Sequence, residues 1–139
     1  MHEFGFAHSI YETSLNTAEK YNAKRIKQIN LQIGDFTLIN PDILKQSFEI
    51  VSKDSIAENA KLEIDIRPGT LLCNECNHKQ EIWVNDPDSK ESFEDDEGQA
   101  YHSLAEVGIV LFKCKACGSS KTNLIGGRDT KIVNIVIED

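Results

Sequence analysis

Two Cys-x-x-Cys pairs carry the most specific chemistry in this sequence: CNEC, with Cys73 and Cys76, and CKAC, with Cys114 and Cys117. Four thiolates are the number a tetrahedral zinc ion takes, and this spacing is that of a metal knuckle. Residues 77–113 separate the pairs, a longer spacer than the ~15–20 residues of a compact ribbon. The length is a weak objection. Each doubling of a flexible loop adds only about 0.6 kcal/mol of closure entropy, against roughly 10–16 kcal/mol for zinc binding. Zinc is therefore the reading, with a rubredoxin-like iron site and a redox dithiol as alternatives. Four engaged sulfurs leave no open coordination position, so such a centre is structural rather than catalytic. Gly118 suits the turn after the second pair. His78 is either a surface or outer-sphere histidine or an alternative ligand able to replace a thiolate.

The other candidate is the start, Met1-His2-Glu3. The Met1 amine and the His2 amide nitrogen close a five-membered chelate ring, and that amide with its own Nδ1 closes a six-membered one. Three nitrogens in a plane suit nickel(II) or copper(II). A fourth donor would come from the Glu3 backbone or side chain, or from a distant histidine. Met1 is expected to survive processing, because removal of an initiator methionine requires a small second residue. The alternative is a histidine without a role in a fraying terminus.

The elements that must position these groups are legible from periodicity. RIKQINLQIG places Ile29, Leu31 and Ile33 on odd positions, with Ile26 ahead of them. KLEIDIRP alternates Leu62, Ile64 and Ile66 with charged residues, and KIVNIVIED is denser and reads as buried on both faces. Ala7, Tyr11, Leu15 and Ala18 recur at helical spacing from about Ala7 to Tyr21. A second helix follows Asn40 as N-cap, with Pro41 first, Asp42 on the dipole, and Leu44, Phe48 and Val51 inward. The expectation is an α+β fold. A small three-stranded sheet carries two helices packed on it, and a zinc-binding domain with two CxxC knuckles is inserted. Residues 1–68 and 127–139 form a discontinuous domain bearing the N-terminal site; residues 69–126 form the zinc-binding domain, with an acidic loop, NDPDSKESFEDDEGQ, inside it. Pro68-Gly69 and Gly126-Gly127 read as hinges.

Composition narrows the function. A formal charge of −8 and a sequence pI near 5.0 disfavour a phosphate backbone as partner, so no nucleic acid is expected. No apolar run approaches the ~18 residues of a membrane span, nor does the start resemble a signal peptide, so a cytoplasmic protein with reduced thiols is expected. No phosphate loop, nucleophile motif or second carboxylate cluster supports an enzyme.

Together, MHE at the start, a strand ending Ile33-Gly34-Asp35, the stretch SIAENAKLEI and two CxxC pairs resemble the HypA/HybF family of nickel metallochaperones for [NiFe]-hydrogenase maturation. The resemblance spans essentially the whole chain. It implies nickel held by His2 with backbone nitrogens at Met1 and Glu3 beside them, and zinc on Cys73, Cys76, Cys114 and Cys117. YHSLAEVGIVLFKC resembles the archaeal-type insert, in which the histidine at the position of His102 contributes to nickel binding; an exposed loop histidine is the alternative. The acidic residue that some bacterial members carry near the second helix is Asn40-Pro41-Asp42 here. His8 reads as a partner or solvent contact. Implied partners are the GTPase HypB and the hydrogenase large subunit, with the chain a monomer or weak homodimer. The competing function is a zinc-ribbon interaction module that delivers no nickel.

Overall fold

A computed structural model describes residues 3–85 and 112–139 of the chain. Its elements are α1 (Glu3–Lys20), β1 (Arg25–Gly34), α2 (Pro41–Val51), β2 (Lys61–Arg67), β3 (Gly69–Cys73), β4 (Lys79–Ile82), β5 (Thr122–Leu124) and β6 (Thr130–Glu138), with a 3-10 turn at Asp35–Thr37. They divide into two compact units. One comprises Met1–Ile33, Ile39–Ile66 and Thr130–Asp139, the other Gly34–Leu38 and Arg67–Asp129.

The first unit is a three-stranded sheet in the order β2-β1-β6, with α1 and α2 packed against each other. On β1, Ile26, Ile29, Leu31 and Ile33 are all buried, each contributing about 1.5–3 kcal/mol relative to exposure. Ile26 and Ile29 can share a face because the β1–β6 register slips between Ile26 and Gln28. The opposite face is polar, where Gln28 Nε2 donates to Asn30 Oδ1 at 2.7 Å and Asn30 Nδ2 to Asn134 Oδ1 at 2.6 Å.

β6 corrects one expectation. Its Ile132, Ile135 and Ile137 are partly buried, but Val133 and Val136 are 44% and 43% exposed. The strand lies at a sheet edge and its second face is open; the density of branched residues reflects strand preference, not double burial.

α1 starts at Glu3, before the periodicity predicts, because Gly5 and the exposed Phe4 blur the apolar stripe in its first turn. Its end is a Schellman close: Asn22 adopts φ 54°, Asn22 N–H donates to the Glu19 carbonyl and Ala23 N–H to the Ala18 carbonyl. α2 begins as expected, with Asn40 capping, Pro41 in the first position and Leu44 and Phe48 buried.

The second unit holds three strands where the sequence predicts none, in the order β4-β3-β5, each pair antiparallel. They run only five, four and three residues, too short for alternation to register. Among the described residues, Phe36, Leu71, Ile82, Val84 and Phe112 form its buried core.

Gly69 and Gly127, read from sequence as hinges, are close-packed here. A Cβ on Gly127, whose φ is +99°, would stand 2.6 Å from Gly69 Cα, and one on Gly69 would stand 2.9 Å from Phe36 Cδ2. Missing side chains let two backbones meet beside the Phe36 ring.

The α+β class expected from the sequence is the one observed: two helices, small three-stranded sheets and four clustered cysteines. Among the described residues no helix is long and apolar enough to cross a membrane.

Candidate metal centre

Each cysteine pair folds into the same turn. Cys73 N–H donates to the His78 carbonyl and Asn77 N–H to the Cys73 carbonyl; in the second pair Cys114 N–H donates to Ser119 and Gly118 N–H to Cys114, all four bonds lying at 2.8–3.0 Å. The fourth residue after the first cysteine must turn left-handed, and Asn77 and Gly118 do so at φ 61° and 77°. Glycine adopts that region freely and asparagine tolerates it. The turn frees amides for sulfur: Cys76 N–H approaches Cys73 Sγ at 3.5 Å and Ala116 N–H approaches Cys114 Sγ at 3.3 Å.

The pairs then converge. Cys73 Sγ lies 3.6 Å from Cys117 Sγ, and Cys76 Sγ lies 3.6 Å from Cys114 Sγ. All four ligand atoms fall within 4.8 Å of one another. A tetrahedron with metal–sulfur bonds of about 2.3 Å has edges of about 3.8 Å, so these sulfurs occupy the corners such an ion requires. Cys73 and Cys114 are buried, while Cys76 and Cys117 are exposed.

The thiols do not ionise independently. The Cys76 amide aimed at its sulfur draws Cys73 down to about 7. For Cys117 the Ser119 amide favours the thiolate, but the Cys73 sulfur, burial and the other two sulfurs outweigh it and push the thiol up to about 12. Cys76 is also raised: the His78 amide favours its thiolate, and burial with the Cys114 sulfur overcomes that. Crowded sulfurs resist accumulating charge, and a divalent cation at their centre removes the resistance.

The remaining predicted residues fall elsewhere. His78 is exposed and outside the four-sulfur group; its carbonyl closes the first knuckle. His8 sits on the exposed face of α1, its Nε2 3.7 Å from Glu12 Oε1. Glu3 opens α1, and its Oε2 accepts the Asn40 backbone N–H at 2.9 Å. Met1, His2 and His102, with most of the acidic loop, lie outside the described residues.

The supporting role of Asn77 was not anticipated, although its place matches that of Gly118 in the second knuckle. Asp35 and Phe36 were also missed. The Asp35 carboxylate accepts the Val84 N–H at 2.8 Å, and the Phe36 ring meets Phe112 edge-on at 5.9 Å. Only the Ile33-Gly34-Asp35 motif pointed toward them.

The chain has known relatives. A family model described as hydrogenase/urease nickel incorporation, metallochaperone, hypA, matches residues 1–137. The chain is 36% identical over 139 residues to hydrogenase maturation factor HypA of Methanopyrus kandleri, covering 99% of this chain and 94% of that one. It is 30% identical over 142 residues to the protein of the same name from Methanococcus aeolicus, covering 99% and 98%. Among solved structures it is similar to the solution structure of the Ni metallochaperone HypA from Helicobacter pylori. That match has 18% identity and a TM-score of 0.58, covering 99% of this chain and 98% of the other, and speaks to fold alone.

Proposed function

The chain belongs to the HypA family of nickel metallochaperones, which serve nickel incorporation and are not enzymes, and from that membership we propose how its own residues divide the work. Nickel(II), the cargo, is held at the N-terminus by the Met1 amine, the His2 amide and the His2 imidazole. A fourth donor comes from Glu3 or His102. Cys73, Cys76, Cys114 and Cys117 hold zinc, whose charge binds the four sulfurs together and supplies no open coordination position.

The observation that carries this division is the completeness of the sulfur group. Its four corners match one tetrahedral ion, so a metal to be handed on must bind elsewhere. The nitrogen donors at the terminus suit nickel as the sulfurs suit zinc. A closed thiolate site releases its ion slowly, whereas a terminal chelate can open without breaking core packing.

Delivery runs to the [NiFe]-hydrogenase large subunit with the GTPase HypB as partner, in the cytoplasm. Partner binding would promote release only by favouring a nickel-free arrangement of the terminus.

Separate nickel and zinc analysis of the purified protein, with and without His2→Ala, tests the reading. One zinc should remain in both, while tight nickel binding disappears in the variant. Nickel affinity should also fall between about pH 8 and about pH 5, because imidazole and amine must lose protons to bind. Undiminished nickel affinity in His2→Ala, or after extension of the N-terminus, would overturn the terminal site.

A further inference from the structure

The two cysteine knuckles fasten each other by a nearly symmetric pair of bonds. In each, the residue after the first cysteine donates its N–H to the residue seven places past the other knuckle's first cysteine: Asn74 N–H to the Lys121 carbonyl at 2.8 Å, and Lys115 N–H to Gln80 Oε1 at 3.0 Å. The first tie is backbone to backbone, which any residue at 121 could make. The second depends on a side chain. On β4, Lys79 and Glu81 are exposed, Gln80 is partly buried and Ile82 is buried, so Gln80 holds a position that alternation would give to an apolar residue. An N–H can only donate, so the oxygen of the Gln80 amide must be the atom that faces Lys115. Its Nε2 is then left buried with no hydrogen-bond partner among the described residues, a penalty that an apolar side chain would avoid.

We propose that Gln80 is a positioning residue for the metal: its amide oxygen holds the CKAC turn, through Lys115, to the strand that leaves the CNEC turn, and so presets Cys114 and Cys117 against Cys73 and Cys76. The proposal rests on the reading that the four sulfurs hold zinc. Lys115 follows Cys114 directly and lies inside the turn that aims both sulfurs of its pair. The 3.6 Å approaches, Cys73 to Cys117 and Cys76 to Cys114, each join sulfurs of different knuckles. The site is therefore only as preformed as the knuckles are fixed to one another. Sulfurs already in place need less ordering when the ion arrives, which raises affinity, and groups that support ligands without touching the metal act in this way. The Lys121 side chain has no such part. Its Nζ stands 3.4 Å from Glu75 Oε1 with both side chains exposed, a pair of little energetic weight.

Two measurements on the full chain test this: zinc affinity by competition with a chelating dye, and amide hydrogen exchange at Lys115 and Asn74 in the zinc-loaded protein. Gln80→Met keeps the side-chain length and removes both polar atoms. It should bind zinc about tenfold more weakly, the scale of one lost hydrogen bond behind a metal ligand. Lys115 should lose its protection from exchange in that variant while Asn74 keeps its own. Gln80→Glu still offers Lys115 an oxygen and should retain the protection there. Lys121→Met leaves the carbonyl that serves Asn74 and should hold zinc within about twofold of the unsubstituted chain. The proposal is overturned if Gln80→Met binds zinc undiminished or leaves Lys115 protected. It is overturned equally if Gln80→Glu exposes Lys115 as Gln80→Met does, or if Lys121→Met weakens zinc as much. Should Gln80→Met fold poorly, Gln80→Ala, too short to reach Lys115, takes its place under the same expectations. An unsubstituted chain without tight zinc would sink the zinc reading and this proposal together, a result distinct from any pattern among the variants.

Discussion

The Asp35 carboxylate accepts the backbone N–H of Val84 at 2.8 Å, joining residues 49 apart in sequence. Next to it, Phe36 meets Phe112 edge-on. Two adjacent side chains therefore engage Val84 and Phe112, and Gly34–Leu38 becomes part of the unit that carries the four cysteines. Phe36→Ala should cost about 3–5 kcal/mol, the usual loss for a buried phenylalanine. Asp35→Ala should cost about 1.5 kcal/mol through loss of a charge-assisted bond. Denaturant unfolding with zinc present measures both; a loss below about 1 kcal/mol in Phe36→Ala would contradict the assigned core.

Metal removal should act on one unit. The four cysteines lie in the second unit, and chelation with EDTA or a stronger ligand should loosen it. Trp83, the chain's one tryptophan, lies in that unit and should change its emission. The helical far-ultraviolet signal should persist, because α1 and α2 rest on a core without cysteine. Simultaneous loss of both signals would refute the independence of the helical core from the metal.

Protons should leave when the metal enters. In the metal-free protein Cys117 is held near 12 and Cys76 above its ordinary value, so both are thiols at neutral pH, while Cys73 near 7 is half ionised. All must become thiolates to bind. Zinc uptake near pH 7 should then release at least about two protons per ion, and zinc affinity should rise with pH and fall in acid. Proton release in weakly buffered solution, followed by an indicator dye, checks the count.

Ser14 invites a stabilising change. Its side chain is 1% exposed on α1 and its Oγ has no hydrogen-bond partner among the described residues. Ser14→Ala removes a buried, unmatched hydroxyl and brings in the best helix former. We expect a gain of about 1–3 kcal/mol, read as a higher thermal midpoint; an unchanged or lower midpoint would show that the hydroxyl is satisfied.

Legibility in the sequence followed the range of the interaction. The strand at Arg25–Gly34 and the cap at Asn40-Pro41-Asp42 emerged where expected, because alternation and capping act within a turn or two of the chain. The apolar density of β6 suggests burial on both faces, yet Val133 and Val136 are exposed, since density cannot reveal which face another layer covers. The short strands β3, β4 and β5 lay below the length at which a period can be seen.

Residue types and spacing by themselves determined the donor chemistry, four thiolates in two identical turns, because ligand identity and knuckle geometry are local properties. Tertiary structure alone decided that Cys73 faces Cys117 and Cys76 faces Cys114, that Phe36 packs in one cluster with Leu71, Ile82, Val84 and Phe112, and that Glu3 accepts the backbone N–H of Asn40 at the start of the other helix. Such pairings join segments tens of residues apart. They exist only once burial has chosen which surfaces meet, and no local pattern encodes that choice.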